Sequence, residues 1–561
     1  MPFLLSAGSV GKTVLEFAVL ISVIVFFHEL GHLLVGKLCG VKALRFSIGF
    51  GPKLFSFQWG ETEYRLSALP LGGYVKFAGD NPHEELAPAD RGRGFLEQPP
   101  GKKAAIAFAG PAANFVLAVV LYFVVFATPH RDLSSAVGYV KPGSPAAAAG
   151  IRYGDKVVAV DGEKVLGFLA LQEKIRAHAG EPLTLQLLRD GQERVVRVVP
   201  SVHEETNPIE TIRQGRIGIS ATPRAPELAV ISPASLAGKA GLRDFDTVAR
   251  LDGAPIANYE QFAQEVERKL AQGKASLDIE VLRRQEVPAP GGTLWTLAPA
   301  RATVTVPARA RSAEDLGIES ADMTVFAVQP GSAAAEAGLR RGDRLLSVQG
   351  QKVSWWYDDV ETLRRAAGAS PLDLVVRRDG RALTLTVRQH LRKARDETGA
   401  RVDVPELGAA PDSAVFNGEP ERIWIQFGVG EAAQRAVADT IGATRQMALG
   451  IYKIFTGHIS SEAIGGPLMI ADVARKAADD GWQAFVAVMA IISVNLGLMN
   501  LVPLPVLDGF HVLSAGIESI SRRPLSLRFR EVANVVGLVL VLGLMIFAFK
   551  NDIVRKFLPL E

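Results

Sequence analysis

Three residues near the start of the chain have types and spacing suited to metal-assisted hydrolysis. The segment His28-Glu29-x-x-His32 is an H-E-x-x-H motif. On a helix, two histidines four residues apart leave the same face one turn apart. Their neutral ring nitrogens can therefore hold one zinc ion. Glu29, offset by one residue, can act on a water at the metal instead of binding the metal itself.

The setting of this motif adds information, because it lies in an apolar run, residues 14–35, that is long enough to cross a bilayer. Each ionisable group at mid-membrane costs about 2.5–3.5 kcal/mol, so a cluster of three calls for a compensating interaction. A zinc ion would supply one. A structural zinc site is the alternative, but it would need four protein ligands and no open position. The motif and its setting favour a catalytic zinc.

Two histidines leave a catalytic zinc one protein ligand short. Asp508 stands at the end of a second uncharged run, residues 484–507, which Pro503 and Pro505 interrupt. A proline-broken segment can turn such an acid inward. The alternative is an ordinary acid at a helix end in the membrane interface. Given the motif in the first run, we expect Asp508 to be the third ligand.

The composition predicts a chain that mixes membrane spans with sizeable soluble modules. Of its 561 residues, 48% are hydrophobic and 22% are charged, and the length corresponds to about three or four domains. The net charge of +3 is close to balanced, so nothing indicates a nucleic-acid partner. The single cysteine excludes intramolecular disulfides.

Four spans are predicted, at residues 1–36, 104–127, 484–508 and 531–550. The short loop between the last two carries four arginines and one acid, which places it in the cytoplasm by the positive-inside rule. Residues 37–103 then also lie in the cytoplasm, where glycine-punctuated β-prone runs predict a small sheet near the membrane. The long segment from about 128 to 482 is exported. Its last part, residues 420–482, is amphipathic and is predicted to lie on the membrane surface.

The exported segment contains an internal repeat. The block P-[GA]-S-x5-G-[IL]-R, followed by an aspartate three residues on and a glycine seven residues beyond that, occurs three times. The copies begin at Pro142, Pro233 and Pro330, which are 91 and 97 residues apart. A helix-like segment and strand-like segments follow each copy. We therefore predict three α+β modules, at residues 130–205, 215–310 and 318–392.

This block resembles the PDZ domain in its bacterial form. The second copy departs from it, because Phe245 stands where the other copies have Gly154 and Gly342. The resemblance implies a groove that binds a peptide C-terminus as an added β-strand. The alternative is a spacer that binds nothing.

The two candidate zinc-binding segments together resemble a known family. His28-Glu29-x-x-His32 with Asn500-x-x-Pro503-x-Pro505-x-x-Asp508-Gly509 is similar to the site-2 protease family of intramembrane zinc proteases. Further motifs resemble its bacterial branch with periplasmic PDZ domains, the RseP group: Phe46-x-x-Gly49-Phe50-Gly51-Pro52, Pro70-Leu71-Gly72-Gly73-Tyr74-Val75, Ala109-Gly110-Pro111-x-x-Asn114-Phe115, and Gly466-Pro467 followed by Ser493-x-Asn495-Leu496-Gly497. The chain departs from the branch in having three PDZ-like copies instead of two, and Phe510 where a second glycine is usual.

The resemblance implies a polytopic α-helical membrane protein with about four transmembrane helices, a small membrane-proximal β region and three periplasmic PDZ-like α+β modules. It implies a bacterial inner membrane and an active site near the cytoplasmic side. The implied activity is regulated proteolysis of a single-pass membrane substrate such as an anti-sigma factor in a stress response, with the PDZ modules gating access.

The roles that the resemblance implies fall on named residues. Zn²⁺ would be bound by His28, His32 and Asp508, with Glu29 as the catalytic base. The loop at Gly72 and Gly73 would pair with the extended substrate, and Asn495 or Asn500 would hold its freed backbone groups. The lipid bilayer, the substrate and peptide C-termini at the PDZ grooves are the expected partners.

Two other functions compete with proteolysis. A non-catalytic membrane scaffold could hold partners through its PDZ array, but such a protein has no use for Glu29. A zinc transporter would want several acids or histidines along a path, and the predicted spans offer one cluster.

Overall fold

The computed structural model describes residues 7–81, 86–206, 211–289, 292–395, 401–457, 459, 464–523 and 525–557. They form two compact units. The membrane unit comprises Met1–His130, Arg395–Ala400 and Gln426–Glu561, and the repeat unit comprises Arg131–Ala394 and Arg401–Ile425. The helices in chain order are α1 (Ala7–Leu38), α2 (Pro100–Ala127), α3 (Pro145–Ala148), α4 (Phe168–Ala177), α5 (Leu236–Lys239), α6 (Tyr259–Ala271), α7 (Ala333–Glu336), α8 (Glu361–Ala367), α9 (Val429–Phe455), α10 (Pro467–Asp480), α11 (Trp482–Asn500), α12 (Asp508–Ser521) and α13 (Leu527–Phe557).

Among the described residues, four helices are long and apolar enough to cross a membrane, as the sequence predicts. These stretches are Gly11–Leu38, Pro100–Ala127, Trp482–Asn500 and Arg528–Val554. The third is shorter than the predicted range 484–508, because α11 ends at Asn500 and a loop leads to α12. Proline at positions 503 and 505 removes backbone donors and explains why the helix stops there.

Helix α2 lies at the centre of the membrane unit and packs against α1, α9, α11 and α12. Glycines allow the close approaches. A Cβ on Gly31 of α1 would lie 2.8 Å from the Cβ of Ala113, and one on Gly497 of α11 would lie 3.1 Å from the Pro111 carbonyl oxygen. Small residues are the usual means of close helix packing in membranes. Helix α2 runs through Gly110-Pro111 as one helix.

The predicted cytoplasmic β region is a sheet. It consists of β1 (Ala43–Trp59) and β2 (Thr62–Phe77), which pair antiparallel. Phe46 of β1 pairs with both Tyr64 and Val75 of β2, so the two long strands fold back into four rows. Residues 73–77 form one edge, and β2 packs against α1.

Hydrogen bonds and ion pairs join α13, the last span, to the rest of the membrane unit. The buried carboxylate of Asp552 on α13 accepts hydrogen bonds from the backbone N–H of Gly466 at 2.8 Å and of Leu468 at 3.0 Å. It thereby satisfies the free N–H groups that begin α10. At the other end of α13, Arg530 pairs with Glu518 of α12, which also pairs with Lys103 of α2.

The predicted amphipathic range, residues 420–482, contains α9 and α10. Helix α9 buries Ala432, Ala436 and Thr440, which recur every four residues on one face. This face packs against α2 and α11, where Tyr122 and Val494 belong to the same apolar cluster as Ala436. The placement of this range on a membrane surface stays a prediction.

The repeat unit contains three copies of one element order. Each copy has a first strand, a four-residue helix, a central strand, a two-residue strand, a longer helix, a strand pair and a closing strand. The strands of the first copy are Tyr139–Val140, Lys156–Val160, Glu163–Lys164, Leu183–Arg189, Gln192–Val198, Ser201–Thr206, Thr211–Arg216 and Ile219–Ser220. Those of the second copy are Leu228–Val230, Thr247–Leu251, Ala254–Pro255, Ser276–Ala289, Gly292–Thr305 and Ile318–Ser320. Those of the third copy are Val325–Val328, Arg344–Val348, Gln351–Lys352, Leu372–Arg378, Arg381–Val387, His390–Arg395, Arg401–Glu406 and Ala409–Pro411.

The closing strand of each copy lies beyond the predicted end of its module. It pairs antiparallel with the first strand of the same copy. A glycine with positive φ precedes it each time: Gly218 (+80°), Gly317 (+88°) and Gly408 (+73°). A Cβ on any of them would collide with the serine that caps the four-residue helix of that copy. The sequence signal that would have revealed this strand is the repeated pattern of an aliphatic residue, glycine and then isoleucine or alanine.

Phe245, the departure in the second copy, joins that copy to the third. It adopts φ +67°, a left-handed conformation that is unfavourable for a bulky residue. Its buried ring packs edge-on against Phe326 with centroids 5.0 Å apart, and the Arg341 guanidinium lies over both rings. This packing compensates for the backbone conformation that glycine adopts freely in the other copies.

Arg224 connects the first two copies and the segment that precedes the third. Its guanidinium lies 4.8 Å from the ring centroids of Tyr139 in the first copy and Tyr259 in the second. It also pairs with Glu260 at 2.7 Å and with Asp322, which precedes the third copy, at 2.6 Å. Because the charge is both paired and stacked, its burial is compensated.

Candidate metal centre

The two motif histidines lie on one face of α1, as their spacing predicts. Their Nε2 atoms are 3.3 Å apart, and both residues are buried. Helix α1 is continuous from Ala7 to Leu38, so both side chains project from a rigid element. Such support is what a preorganised site needs.

Asp508 meets the histidines as the first residue of α12. Its Oδ2 lies 3.0 Å from Nε2 of His28 and 3.4 Å from Nε2 of His32. One donor atom from each of the three residues lies within 4.8 Å of the others. Two imidazoles and one carboxylate form a donor set that suits zinc with a position left for water or substrate. The residues therefore fit the metal that the sequence predicts.

The loop before Asp508 is held in an unusual conformation. Val506 has φ +83°, which is rare for a β-branched residue and marks local strain. Two glycines fit closely against this loop. A Cβ on Gly509 would lie 2.6 Å from the Val502 carbonyl oxygen, and one on Gly537 of α13 would lie 2.6 Å from the Pro505 carbonyl carbon. These contacts leave the loop little freedom and fix the direction of Asp508.

Helix α2 contacts the far side of both imidazoles. The Ile106 carbonyl oxygen lies 2.8 Å from Nδ1 of His32, and the side-chain amide of Asn114 lies 3.2 Å from Nδ1 of His28. Between them, a Cβ on Gly110 would lie 2.9 Å from Cε1 of His28 and closer still to His32. Partners of this kind orient metal ligands. Sequence reasoning gave these residues no role at the metal, although the spacing 106, 110, 114 places them on one helix face.

The predicted base, Glu29, lies beside the edge strand of the sheet. A Cβ on Gly73 would lie 3.1 Å from Cγ of Glu29 and 2.9 Å from Cγ1 of Val25. Gly72, with φ +129°, faces the ring of Phe50. The structure therefore brings Gly73 to Glu29 and keeps Gly72 next to it in the same strand.

Of the two asparagines predicted to hold substrate, Asn500 reaches the cluster. Its Nδ2 lies 3.3 Å from Nε2 of His28. Asn495 lies five residues earlier on α11, which turns its side chain by about 140° from that of Asn500. Within the described part of the chain it has no hydrogen bond to His28, His32 or Asp508.

Comparison with known proteins gives the family of this chain. The family model described as peptidase family M50 matches residues 16–544. The chain belongs to peptidase family M50. This confirms the predicted family and the enzyme class, a zinc metalloprotease of the site-2 type. The M50 assignment and the four apolar helices also make the chain a membrane protein.

Relatives of this M50 peptidase match over nearly the full chain. A protein of Ralstonia nicotianae, provisionally named a zinc metalloprotease, is 30% identical and covers 97% of this chain and 99% of its own. A protein of Salmonella typhimurium named regulator of sigma-E protease RseP is 28% identical over 96% of this chain and 98% of its own. A PDZ domain protein of Parabacteroides distasonis is similar in structure with a TM-score of 0.13 at 10% identity, over 51% of this chain and 100% of its own, and this likeness carries no weight for the fold.

Proposed function

We propose that this M50 peptidase is an intramembrane zinc endopeptidase in which His28, His32 and Asp508 hold the metal and Glu29 is the catalytic base. The observation that carries the proposal is a contact between distant parts of the sequence. Asp508, about 480 residues after the two histidines, lies beside both of them. Three ionisable side chains gathered beside membrane helices need a compensating interaction, and a zinc ion would provide it.

Zinc, when bound, supplies a Lewis acid and an activated water at neutral pH. Glu29 accepts the proton of the attacking water on its carboxylate and later delivers it to the leaving amide nitrogen. The two imidazoles and the Asp508 carboxylate offer three donor atoms, which leaves a fourth position for water or substrate. The Asn500 amide, next to His28 Nε2, can donate a hydrogen bond to the substrate carbonyl oxygen as negative charge develops on it.

A helical substrate must unwind before attack, because its peptide bonds are occupied in helix hydrogen bonds. The edge strand at residues 73–77 pairs with β1 on one side, and an extended peptide could pair with it on the other. Gly73 has no side chain to keep that peptide away from Glu29. We therefore assign substrate pairing to Gly72 and Gly73, and the holding of backbone groups to Asn500 but not to Asn495.

The substrate class we propose is a single-pass membrane protein similar to an anti-sigma factor. The name of the Salmonella relative, regulator of sigma-E protease, supports this choice. The arginines at positions 522, 523, 528 and 530 support a cytoplasmic loop after α12. With that orientation, the protein lies in a bacterial inner membrane with the metal centre near the cytoplasmic side and the repeats in the periplasm.

Metal removal tests the proposed activity. We expect purified protein to cut a single-span substrate, to lose activity in a strong zinc chelator, and to regain it with Zn²⁺ but not with Mg²⁺. Magnesium serves as the control because it prefers oxygen ligands and octahedral geometry. Cleavage that persists after the zinc has been removed would rule out the metal mechanism.

The repeats are proposed to be PDZ modules that bind peptide C-termini. The first copy has a groove of about 310 Å³ between α4 and the closing strand. Phe168, Leu171 and Ile175 line it from the helix, and Ile217 and Ile219 line it at the start of the closing strand. Gln172, Arg176 and Arg216 add polar groups to the lining. The apolar part of this groove, next to a strand, suits an added peptide strand with an apolar last residue.

Gating by the repeats predicts a specific change in substrate range. All three copies form one insertion between the second and third spans, so a folded domain on the exported side of a substrate would have to share space with them. Deleting residues 137–411, which removes all three copies with their closing strands, and joining the ends with a linker should let the enzyme cut substrates that keep this domain. If the grooves instead recruit a trimmed substrate by its new C-terminus, deletion should slow its cleavage and leave the intact one uncut. Cleavage rates of the two substrates by the deletion variant decide between these ideas, and a loss on both would contradict gating.

A further inference from the structure

Helix α2 presents one face to the two metal-site histidines. Ile106, Gly110 and Asn114 are four residues apart, so they follow one another along that face. Ile106 offers its carbonyl oxygen to His32, and Asn114 offers its side-chain amide to His28. Gly110 contributes the absence of a side chain, which gives both rings room.

The ring nitrogens that face Asp508 decide which tautomer each histidine needs. A neutral imidazole has one N–H and one nitrogen with a free lone pair. The Nε2 atoms of His28 and His32 face each other and Asp508, so these atoms must be unprotonated to bind a metal. Each Nδ1 must then carry the proton and needs an acceptor. For His32 that acceptor is a carbonyl oxygen, which can play no other part.

The side-chain amide of Asn114 contains an oxygen that can serve as the acceptor for the Nδ1–H of His28. Asn114 is fully buried, its Nδ2 is the atom near His28 Nδ1, and its Oδ1 has no hydrogen-bond partner among the described residues. Rotating the amide by 180° exchanges the two atoms. The oxygen then accepts the Nδ1–H of His28, which pairs the isolated oxygen and the imidazole proton together.

We infer that Asn114 is a positioning residue for His28: its amide oxygen accepts the Nδ1–H and so keeps the Nε2 lone pair directed at the metal. The inference rests on the zinc site proposed above. The asparagine touches neither metal nor substrate and acts through the histidine alone. Outer partners of this kind typically contribute 10–100-fold to metal affinity.

Two substitutions separate this role from simple packing. Asn114→Leu keeps much of the side-chain volume and removes the acceptor, whereas Asn114→Asp keeps an acceptor and adds a buried charge. We expect the Leu variant of the full-length protein to bind Zn²⁺ about 10–100-fold more weakly, measured by competition with a chromophoric chelator. We expect the Asp variant to bind as tightly as the unsubstituted protein or more tightly, because a carboxylate makes the histidine a stronger donor.

Ser493→Ala is the matched control. The Ser493 hydroxyl is buried and donates to the backbone carbonyl of Asn114 at 2.9 Å, and in the part of the chain that the structure describes it makes no hydrogen bond to either histidine. Its loss should leave zinc affinity unchanged. With Co²⁺ as probe, the visible spectrum should shift in the Leu variant and stay unchanged in the Ser493→Ala variant.

A packing role would make the Asp variant, with its buried charge, at least as damaging as the Leu variant. That result, or a Leu variant that binds Zn²⁺ within threefold of the unsubstituted protein, would overturn the inference. Should the Leu variant fail to accumulate as folded protein, Asn114→Ser, too short to reach the ring, replaces it with the same expectation. If the unsubstituted protein shows no zinc binding that depends on His28, the proposed metal site itself is wrong.

Discussion

Replacing Glu29 with glutamine is expected to abolish proteolysis while zinc stays bound. The substitution keeps the size of the side chain and removes its ability to take and return a proton. General acid–base groups contribute about 10²–10⁴-fold to rate, so we expect a loss of at least that range. The metal should remain, because the donor atoms of His28, His32 and Asp508 are untouched. Cleavage of a single-span substrate and metal content, measured on the same preparation, check both parts.

Glu16→Gln provides a matched control for this variant. Glu16 lies on the same helix, about 20 Å along its axis from Glu29, and the substitution makes the same chemical change. It should leave the cleavage rate within a few-fold of the unsubstituted enzyme. A Glu29→Gln variant that keeps most of its activity would remove Glu29 from the mechanism. A variant that loses zinc as well would show that Glu29 supports the metal.

The sequence predicts which residues form the candidate centre because their chemistry is tied to spacing. Two histidines four residues apart share a helix face whatever surrounds them. Asp508 could be selected because a charged group at the end of an uncharged membrane span is costly and therefore indicates a functional role. The β region could likewise be predicted, since its runs are rich in β-prone residues and are bounded by glycines.

The supporting contacts could not be predicted, because they depend on how helices pack. The sequence around Ile106 does not indicate that its carbonyl oxygen will face His32, because every residue has a backbone carbonyl oxygen. The positive φ of Val506 contradicts the preference of valine and follows from the close fit of Gly509 and Gly537 around its loop. Local propensity carries no information on such fits.

The repeats show the same division between pattern and packing. Their number and spacing follow from motif offsets, and a helix and a strand pair follow each copy of the motif in the structure. Phe245 breaks the pattern at a position where the other copies need glycine. Phe245 is accommodated there because its ring packs against Phe326 and Arg341 of the neighbouring copy, about 80 and 95 residues further along the chain. The sequence pattern within one copy contains no information on its contacts with another copy.

Replacing Asp508 with alanine is expected to remove both the metal and the activity, in contrast to Glu29→Gln. Two neutral imidazoles then remain, and a zinc site with two protein ligands is incomplete. The loss of affinity should exceed the roughly 100-fold effect of substituting an outer partner. The loop that carries Asp508 has little freedom, so a neighbouring side chain cannot swing in to replace it. Chelator competition gives the affinity, and metal analysis after gel filtration gives the zinc content.

Glu518→Gln distinguishes loss of a ligand from disruption of α12. Glu518 is a buried acid on the same helix, and it pairs with Lys103 and Arg530 away from the histidines. Leaving those two charges unpaired should lower the melting temperature of the protein, since breaking a buried ion pair costs about 3–5 kcal/mol. Zinc should nevertheless remain stoichiometric, because all three donor atoms persist. If Asp508→Ala also retains stoichiometric zinc at unchanged affinity, the third ligand is another residue, and the convergence of Asp508 with His28 and His32 has no role in binding the metal.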